Sequence, residues 1–382
     1  MSADRHHSVI VAGGGAVGLL LGLALQREGV DCLVAERRSE PVAHSRSLGI
    51  HPVSLELFDE LGLAEPFLEE GVHIRRGVAL DGRRRLGTVT FERCPPPYRF
   101  ILSLPQYRTE ALLEKALAGR APGALVRGME LAGYREESGG VTVEVVHEGR
   151  RRTLTCELLV GCDGKESAVR RGAGIAWEGG PYPHTYAMGD FRENTGFGSD
   201  AAVFLCRQGL VESFPLPGGH RRWVVKTRNY MGELERPWLV REINLRTGHN
   251  LEGEEHVMLG SFGVQRYLAG RAGRGHVFLA GDAAQVVSPI GGQGMNLGWL
   301  QARDLARTLG EALERPGSRE KLAEAYSRRS RRRARKAIRR AEFNMWLGRR
   351  SALAPLRNAL VAAALHTPLS HFLARMFTMR RL

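Results

Sequence analysis

Residues 274–306 read RGHVFLAGDAAQVVSPIGGQGMNLGWLQARDLA, and the order of residue types along this stretch decides the fold. An apolar strand over 276–280 delivers Gly281 and Asp282 at a turn. A glycine-rich loop follows over 289–294, and beyond it the spacing is helical. A carboxylate at a strand end, then a compliant backbone opening a helix, is how a chain holds a large anionic ligand, because unpaired N–H groups and the positive end of the helix dipole face the charge.

The same arrangement occurs at the beginning of the sequence. A short apolar run at 9–12 leads into Gly13-Gly14-Gly15-Ala16-Val17-Gly18, an apolar helical stretch continues to about residue 28, and a second strand over 30–35 ends in Glu36 and Arg37. Strand, glycine turn, helix, strand and acid form the βαβ unit that binds a dinucleotide. Gly13 allows the tight turn, Gly15 lets the backbone approach a pyrophosphate, and Gly18 permits close packing of helix on strand; Glu36 takes ribose hydroxyls. A third strand at 158–160 ends in Gly161-Cys162-Asp163-Gly164, with Ser167 and Arg170 at a helix start. It repeats the logic of a carboxylate beside glycine at a strand end.

The remaining segments are read around these three. With 382 residues and 42.1 kDa the chain can bury a sizeable core in two connected domains. A hairpin is expected over 74–91 with its turn at Asp81-Gly82, a helix over 106–118, and a three-strand meander over 126–155. Alternating strands occupy 177–267, and this section interrupts the nucleotide-binding pattern. The expected division is a cofactor-binding domain in three parts, 1–73, 100–176 and 269–345. A second domain is formed by the hairpin 74–99 and residues 177–268, and a helical cap by 346–382.

The net charge is +14, from 55 Lys and Arg against 41 Asp and Glu. Most of the excess is arginine scattered along the chain, and the dense run SRRSRRRARKAIRR at 327–340 reads as the solvated face of a helix lying on the cofactor domain. It has no interleaved aromatics, so no nucleic-acid partner is expected. Five cysteines, odd in number and without CxxC spacing, indicate a reduced, cytoplasmic protein and no metal site. No signal peptide is recognisable, and the first apolar run is too short to cross a bilayer, so no integral membrane association is expected.

Taken together and in this order, Gly13-x-Gly15-x-x-Gly18 with Glu36, Asp163-Gly164-x-x-Ser167-x-x-Arg170, and Gly281-Asp282 with 289–296 resemble the class A, single-component FAD-dependent aromatic hydroxylases, the p-hydroxybenzoate hydroxylase-like monooxygenases. The resemblance implies an α/β fold: a Rossmann-like FAD/NAD(P)-binding domain of the glutathione-reductase type, an interleaved α+β substrate domain and C-terminal helices. It implies that Gly13, Gly15, Ala16, Val17, Gly18, Glu36 and Arg37 hold the adenosine and pyrophosphate. Arg46 in HSRSLGI and Gln106 in LPQYRTEALL reach the flavin, Asp163 fixes a loop that handles FAD and nicotinamide, and Gly281 and Asp282 bind the ribityl side. Backbone amides at Gly292, Gly294, Met295 and Asn296 face the flavin edge that becomes negative on reduction, and Pro289, Gly291 and Gly292 shape the oxygen-reactive pocket.

The implied activity is hydroxylation of an aromatic or polyketide-like molecule with O2, through a flavin C4a-hydroperoxide. NADPH or NADH serves as a transient reductant, in a monomer or homodimer. No acid or base is assigned, although His51, His184, His220 and Tyr186 are candidates for substrate contact. The sequence departs from the family pattern at Gln285, where histidine is common, at Gln301, where aspartate is common, and at Asp304, where asparagine is common. A flavin-dependent halogenase lacks support because a WxWxIP signature is missing, and oxygen dependence separates a hydroxylase from a reductase on the same fold. A basic, non-enzymatic binding protein acting through 327–340 is the alternative from another class.

Overall fold

In the computed structural model, residues 6–42 and 47–380 are described. Five strands form a parallel core in the spatial order Val277–Leu279, Arg150–Gly161, His6–Ala12, Cys32–Glu36, Leu125–Arg127. Val9, Ile10, Val11, Leu158, Leu159 and Val160 are fully buried, as a parallel sheet covered on both faces requires. This topology places every predicted site turn at one edge. Gly13 follows strand His6–Ala12, Glu36 ends Cys32–Glu36, Asp163 follows Arg150–Gly161, and Asp282 follows Val277–Leu279. Ligands of open α/β sheets bind beyond these carboxyl ends.

Close approach of the backbone holds the edge together. A Cβ on Gly18 would lie 1.9 Å from the Gly13 carbonyl oxygen, so only glycine lets helix Ala16–Arg27 settle on the turn. Val17 in turn nests against Gly281 and Gly298, where added Cβ atoms would come within 3.1 and 2.5 Å of it. The nearby indole of Trp299 donates to the Ala16 carbonyl at 2.9 Å. The first and third motifs are thereby locked to one another.

A second, mostly antiparallel sheet of eight strands runs from Gln285–Val286 through His256–Ala269, Trp177–Arg192, His220–Thr227, Gly209–Leu216 and Ala201–Cys206 to the hairpin Arg76–Asp81 and Arg84–Thr90. One face, with Phe191, Phe204 and Trp223, packs on helix Arg236–Thr247. The other face, with Met188, Leu205, Leu210, Val224 and Phe262, packs on Ile290 of the glycine-rich loop and on Met345.

Two features differ from the sequence reading. Residues 158–160 are the end of one long strand, Arg150–Gly161, that also supplies the last strand of the meander. Helix Arg236–Thr247 lies within the stretch read as strands; Pro237 in its first turn starts it, and its buried residues Leu239, Val240 and Ile243 are too few to impose a visible helical stripe.

The basic run lies within helix Arg319–Leu347, whose small buried residues Ser330, Ala334 and Ala337 let it sit closely on helix Gln293–Glu314, while Ala323 and Ser327 pack on residues 272–273. Asp304 accepts a hydrogen bond from Arg333 and lies 3.8 Å from Arg329, so part of the charge is used in packing. Helices Ala354–Leu365 and Leu369–Phe377 then cover the hairpin strand Arg84–Thr90. All five cysteines are free, and among the described residues no helix is long and apolar enough to cross a membrane.

Candidate active site

The carboxyl edge of the parallel sheet opens into a continuous cavity of about 1240 Å³ that extends between the two sheets. Two helix N-termini point into it. Helix Ala16–Arg27 starts at Gly15 and helix Gln293–Glu314 at Gly292, neither with a side-chain cap from that residue, so first-turn N–H groups are left for other acceptors. Gly13, Gly15, Ala16 and Val17 line one end together with Glu36 and Arg37. Gln106, Asp163, Gly281 and Asp282 line the middle, and Pro289, Gly291, Gly292, Gly294 and Met295 line the passage to the second sheet. Gly18 and Asn296 stand behind the wall, and Arg46 lies outside the described residues.

The roles of these residues can be read from their partners. One oxygen of Glu36 accepts from Gly14 N at 2.7 Å and the other from Arg38 N at 3.0 Å, which fixes both the glycine turn and the loop after the second strand. Asp163 accepts from the backbone N–H groups of Ala168 and Val169 at 2.7 and 3.2 Å and so caps helix Ala168–Gly172. Arg170, buried and stacked 3.8 Å from the Trp177 ring, donates to the Ala283 carbonyl at 3.2 Å. The middle motif therefore braces the third. Asp282 lines the cavity with its side chain open to solvent, and desolvation by the protein packed around it pushes the carboxyl up to about 6.

Gly292 adopts φ +64° and Gly291 φ +94°, and Gly292 N donates to Pro289 O at 2.9 Å to close the loop. Asn296 holds that loop from behind: its amide donates to Gly49 O and Gly292 O, both at 2.8 Å, and its oxygen accepts from His51 N at 2.8 Å. His51 reaches the cavity wall, and burial lowers its imidazole to about 4, so it is neutral at physiological pH. Tyr186 is buried in a stack with Phe262, 5.5 Å between centroids. Neither it nor His184 nor His220 lines the cavity.

The departures at Gln285 and Gln301 are one structural unit. Each amide donates to the other, at 2.7 and 2.5 Å, and the Gln301 oxygen also accepts from Gly281 N at 3.1 Å. A reciprocal pair of neutral amides thus anchors the turn that presents Asp282.

Two acidic residues escaped the sequence reading. Glu110 reaches over from helix Gln106–Arg120, where it accepts from Gln106 at 2.8 Å and from Ala16 N at 3.1 Å, at the N-terminus of the glycine-turn helix. Its carboxylate stands where an anionic ligand belongs. Glu212 lines the apolar chamber between the sheets. Its only sequence signal is a carboxylate two residues from both Leu210 and Phe214 on one face of a strand.

This arrangement suits a long ligand with anionic and planar parts. Gly15 offers open space on its cavity side, where a Cβ would find only Glu110, 3.8 Å away. Residues 6–341 match the family model described as FAD binding domain. The chain belongs to the FAD-binding domain family. The 6-methylpretetramide 4-monooxygenase of Streptomyces rimosus is 34% identical over 332 residues, covering 84% of this chain and 58% of the relative. This FAD-binding family member thus spans less than two thirds of that curated relative's length.

Among solved structures, an anhydrotetracycline hydroxylase from Streptomyces rimosus superposes with a TM-score of 0.82 at 28% identity, over 99% of this chain and 77% of that one. The p-nitrophenol 4-monooxygenase from Pseudomonas putida DLL-E4 shares the fold at a TM-score of 0.88 and 21% identity, over 98% of both chains. The similarity to class A flavin hydroxylases drawn from the three motifs holds, as does the α/β nucleotide-binding fold.

Proposed function

We propose that this chain is an FAD-dependent monooxygenase that uses NADPH or NADH and O2 to hydroxylate an aromatic or polyketide-like small molecule in the cytoplasm. The observation that carries the reading is the continuity of the cavity. The polar cleft at the sheet edge runs past 289–295 into a chamber walled by Met188, Leu205, Phe214, Val224 and Phe262. At about 1240 Å³ it exceeds the 300–1,000 Å³ typical of a single small-ligand site and has room for a cofactor beside a second molecule. Five free cysteines support a reducing compartment.

In this reading Gly13, Gly15, Ala16 and Val17 receive the pyrophosphate, with Gly18 behind them setting the turn, and Glu36 and Arg37 bound the adenosine end. Glu110 must give up Ala16 N to the phosphate. Asp282 and Gln106 hold the central part, with Asp163 bracing the loop beside them, and first-turn amides of helix Gln293–Glu314 favour negative charge at the flavin edge. Bound FAD supplies the electron transfer and oxygen activation that side chains lack. The protein's share is to hold an aromatic ring against the passage at Pro289–Gly292 and to keep water out of it.

The test is direct. Purified protein should be yellow, and phenolic or polycyclic compounds should stimulate NADPH oxidation, with one atom of ¹⁸O2 appearing in the product by mass spectrometry. A colourless protein that takes up no FAD sinks the reading. Asp282→Ala should purify with little flavin, and full occupancy in that variant counts against the assigned site.

A further inference from the structure

The apolar chamber contains one carboxyl that neither the fold nor the cofactor reading uses. Glu212 sits mid-strand in Gly209–Leu216, paired across with Val203 on one side and Val224 on the other. Leu210 and Phe214 share its face, and all five residues line the cavity. The residue is 9% exposed and lines the chamber.

Among the described residues Glu212 makes no hydrogen bond and no ion pair. None of its polar neighbours on this face bonds to it: Arg222 is held by both oxygens of Asp190 at 2.7 and 2.8 Å, the Lys226 ammonium lies 6.0 Å from the Tyr186 ring without a hydrogen-bond partner, and Tyr186 is stacked on Phe262. Burial alone pushes its carboxyl up to about 7. An alkyl side chain in this place would avoid the cost of desolvating a carboxyl. A ligand in the chamber is what can offset it.

We propose that Glu212 is the polar anchor of the chamber, accepting a hydrogen bond from the hydroxyl of an uncharged, polycyclic aromatic ligand and rejecting aromatic carboxylates. The inference rests on the monooxygenase reading and narrows its substrate class. A hydroxyl donor completes the carboxylate and leaves no polar atom of the ligand in hydrocarbon surroundings. A ligand carboxylate meets like charge at Glu212, and the guanidinium of Arg222 on the facing strand is already neutralised by Asp190.

Calorimetric titration of the FAD-loaded protein at pH 8, without reductant, tests this with 2-naphthol, 2-methoxynaphthalene and 2-naphthoate. Wild type should bind 2-naphthol about tenfold or more tightly than either analogue, the size expected for one charged hydrogen bond. Glu212→Leu should erase the preference over the ether while binding the ether at least as well. Equal wild-type affinity for 2-naphthol and its ether overturns the proposal, and so does a Glu212→Leu protein that keeps the preference. If Glu212→Leu does not fold, Glu212→Gln serves in its place: 2-naphthoate should then bind about tenfold better than to wild type, and unchanged affinity overturns the proposal. Flavin absorbance of the same samples separates the two levels of failure. Flavin-replete protein without phenol preference removes the anchor alone, whereas protein that takes up no flavin removes the functional reading.

Discussion

Gln301 shows how much of this site depends on single side chains behind it. Its oxygen serves both Gly281 N and Gln285, and its amide nitrogen serves Gln285 and Ser330. Gln301→Leu leaves a buried N–H and a buried amide without partners, so we expect a loss of about 3 kcal/mol in chemical denaturation and weaker FAD retention by equilibrium dialysis. Glu212 gives the opposite sign. Its folded-state carboxyl is raised from 4.5 to about 7, so the native state binds the proton more tightly than the unfolded chain. Stability attributable to this group is then greatest below pH 4.5, falls between 4.5 and about 7, and is lowest above 7. Glu212→Gln should therefore raise the melting temperature at pH 8, by the equivalent of on the order of 3 kcal/mol, and have little effect near pH 4. A destabilised Glu212→Gln at pH 8 would contradict the unpaired carboxyl. Residues of this kind were poorly legible in the sequence: Glu110 acts 94 positions from its partner Ala16, and Glu212 gains meaning only once its strand has a register and a facing surface.

At the scale of elements, the glycine turn was readable because its cause is local. Strand, turn and helix are consecutive, and the prohibition on a Cβ at Gly18 comes from Gly13 five residues earlier. We expect Gly18→Ala to cost at least about 3 kcal/mol, because a carbonyl oxygen at 1.9 Å cannot move aside without unseating the helix. Gly310→Ala provides the control. This glycine lies inside helix Gln293–Glu314 with nothing within 4 Å of the added Cβ, so alanine should stabilise by about 0.5–1 kcal/mol. Urea melts of the two variants that move in the same direction would refute the packing argument. Helix Arg236–Thr247 was hidden for the converse reason: it is helical by virtue of the sheet it covers, and its own pattern is weak. The basic helix was legible in outline, but its clasp on Asp304 needed the packed structure.

For the whole molecule, the C-terminal helices complete a chamber begun by the second sheet. Leu356, Leu360, Leu365 and Phe377 line it from Ala354–Leu365 and Leu369–Phe377, while none of the three nucleotide-binding motifs lies beyond residue 296. Deletion of residues 352–382 should keep flavin stoichiometry near that of the full chain, with NADPH oxidation that no longer yields oxygenated product. Loss of flavin on deletion would show that the cap supports the cofactor cleft instead. The order of strands in the parallel sheet also has a consequence for synthesis. Strand Val277–Leu279 closes the sheet against Leu159, Val160 and Gly161, so a nascent chain that has not yet reached residue 280 leaves this short, apolar stretch of strand edge unpaired. In the proposed binding mode, no fragment that ends before residue 293 can hold the complete cofactor, because Asp282 and the second helix N-terminus are made last of the three motifs. In that binding mode flavin is captured after most of the chain has left the ribosome, and a cell short of flavin should accumulate full-length apoprotein that added FAD can still convert, while chains that stop before residue 277 aggregate.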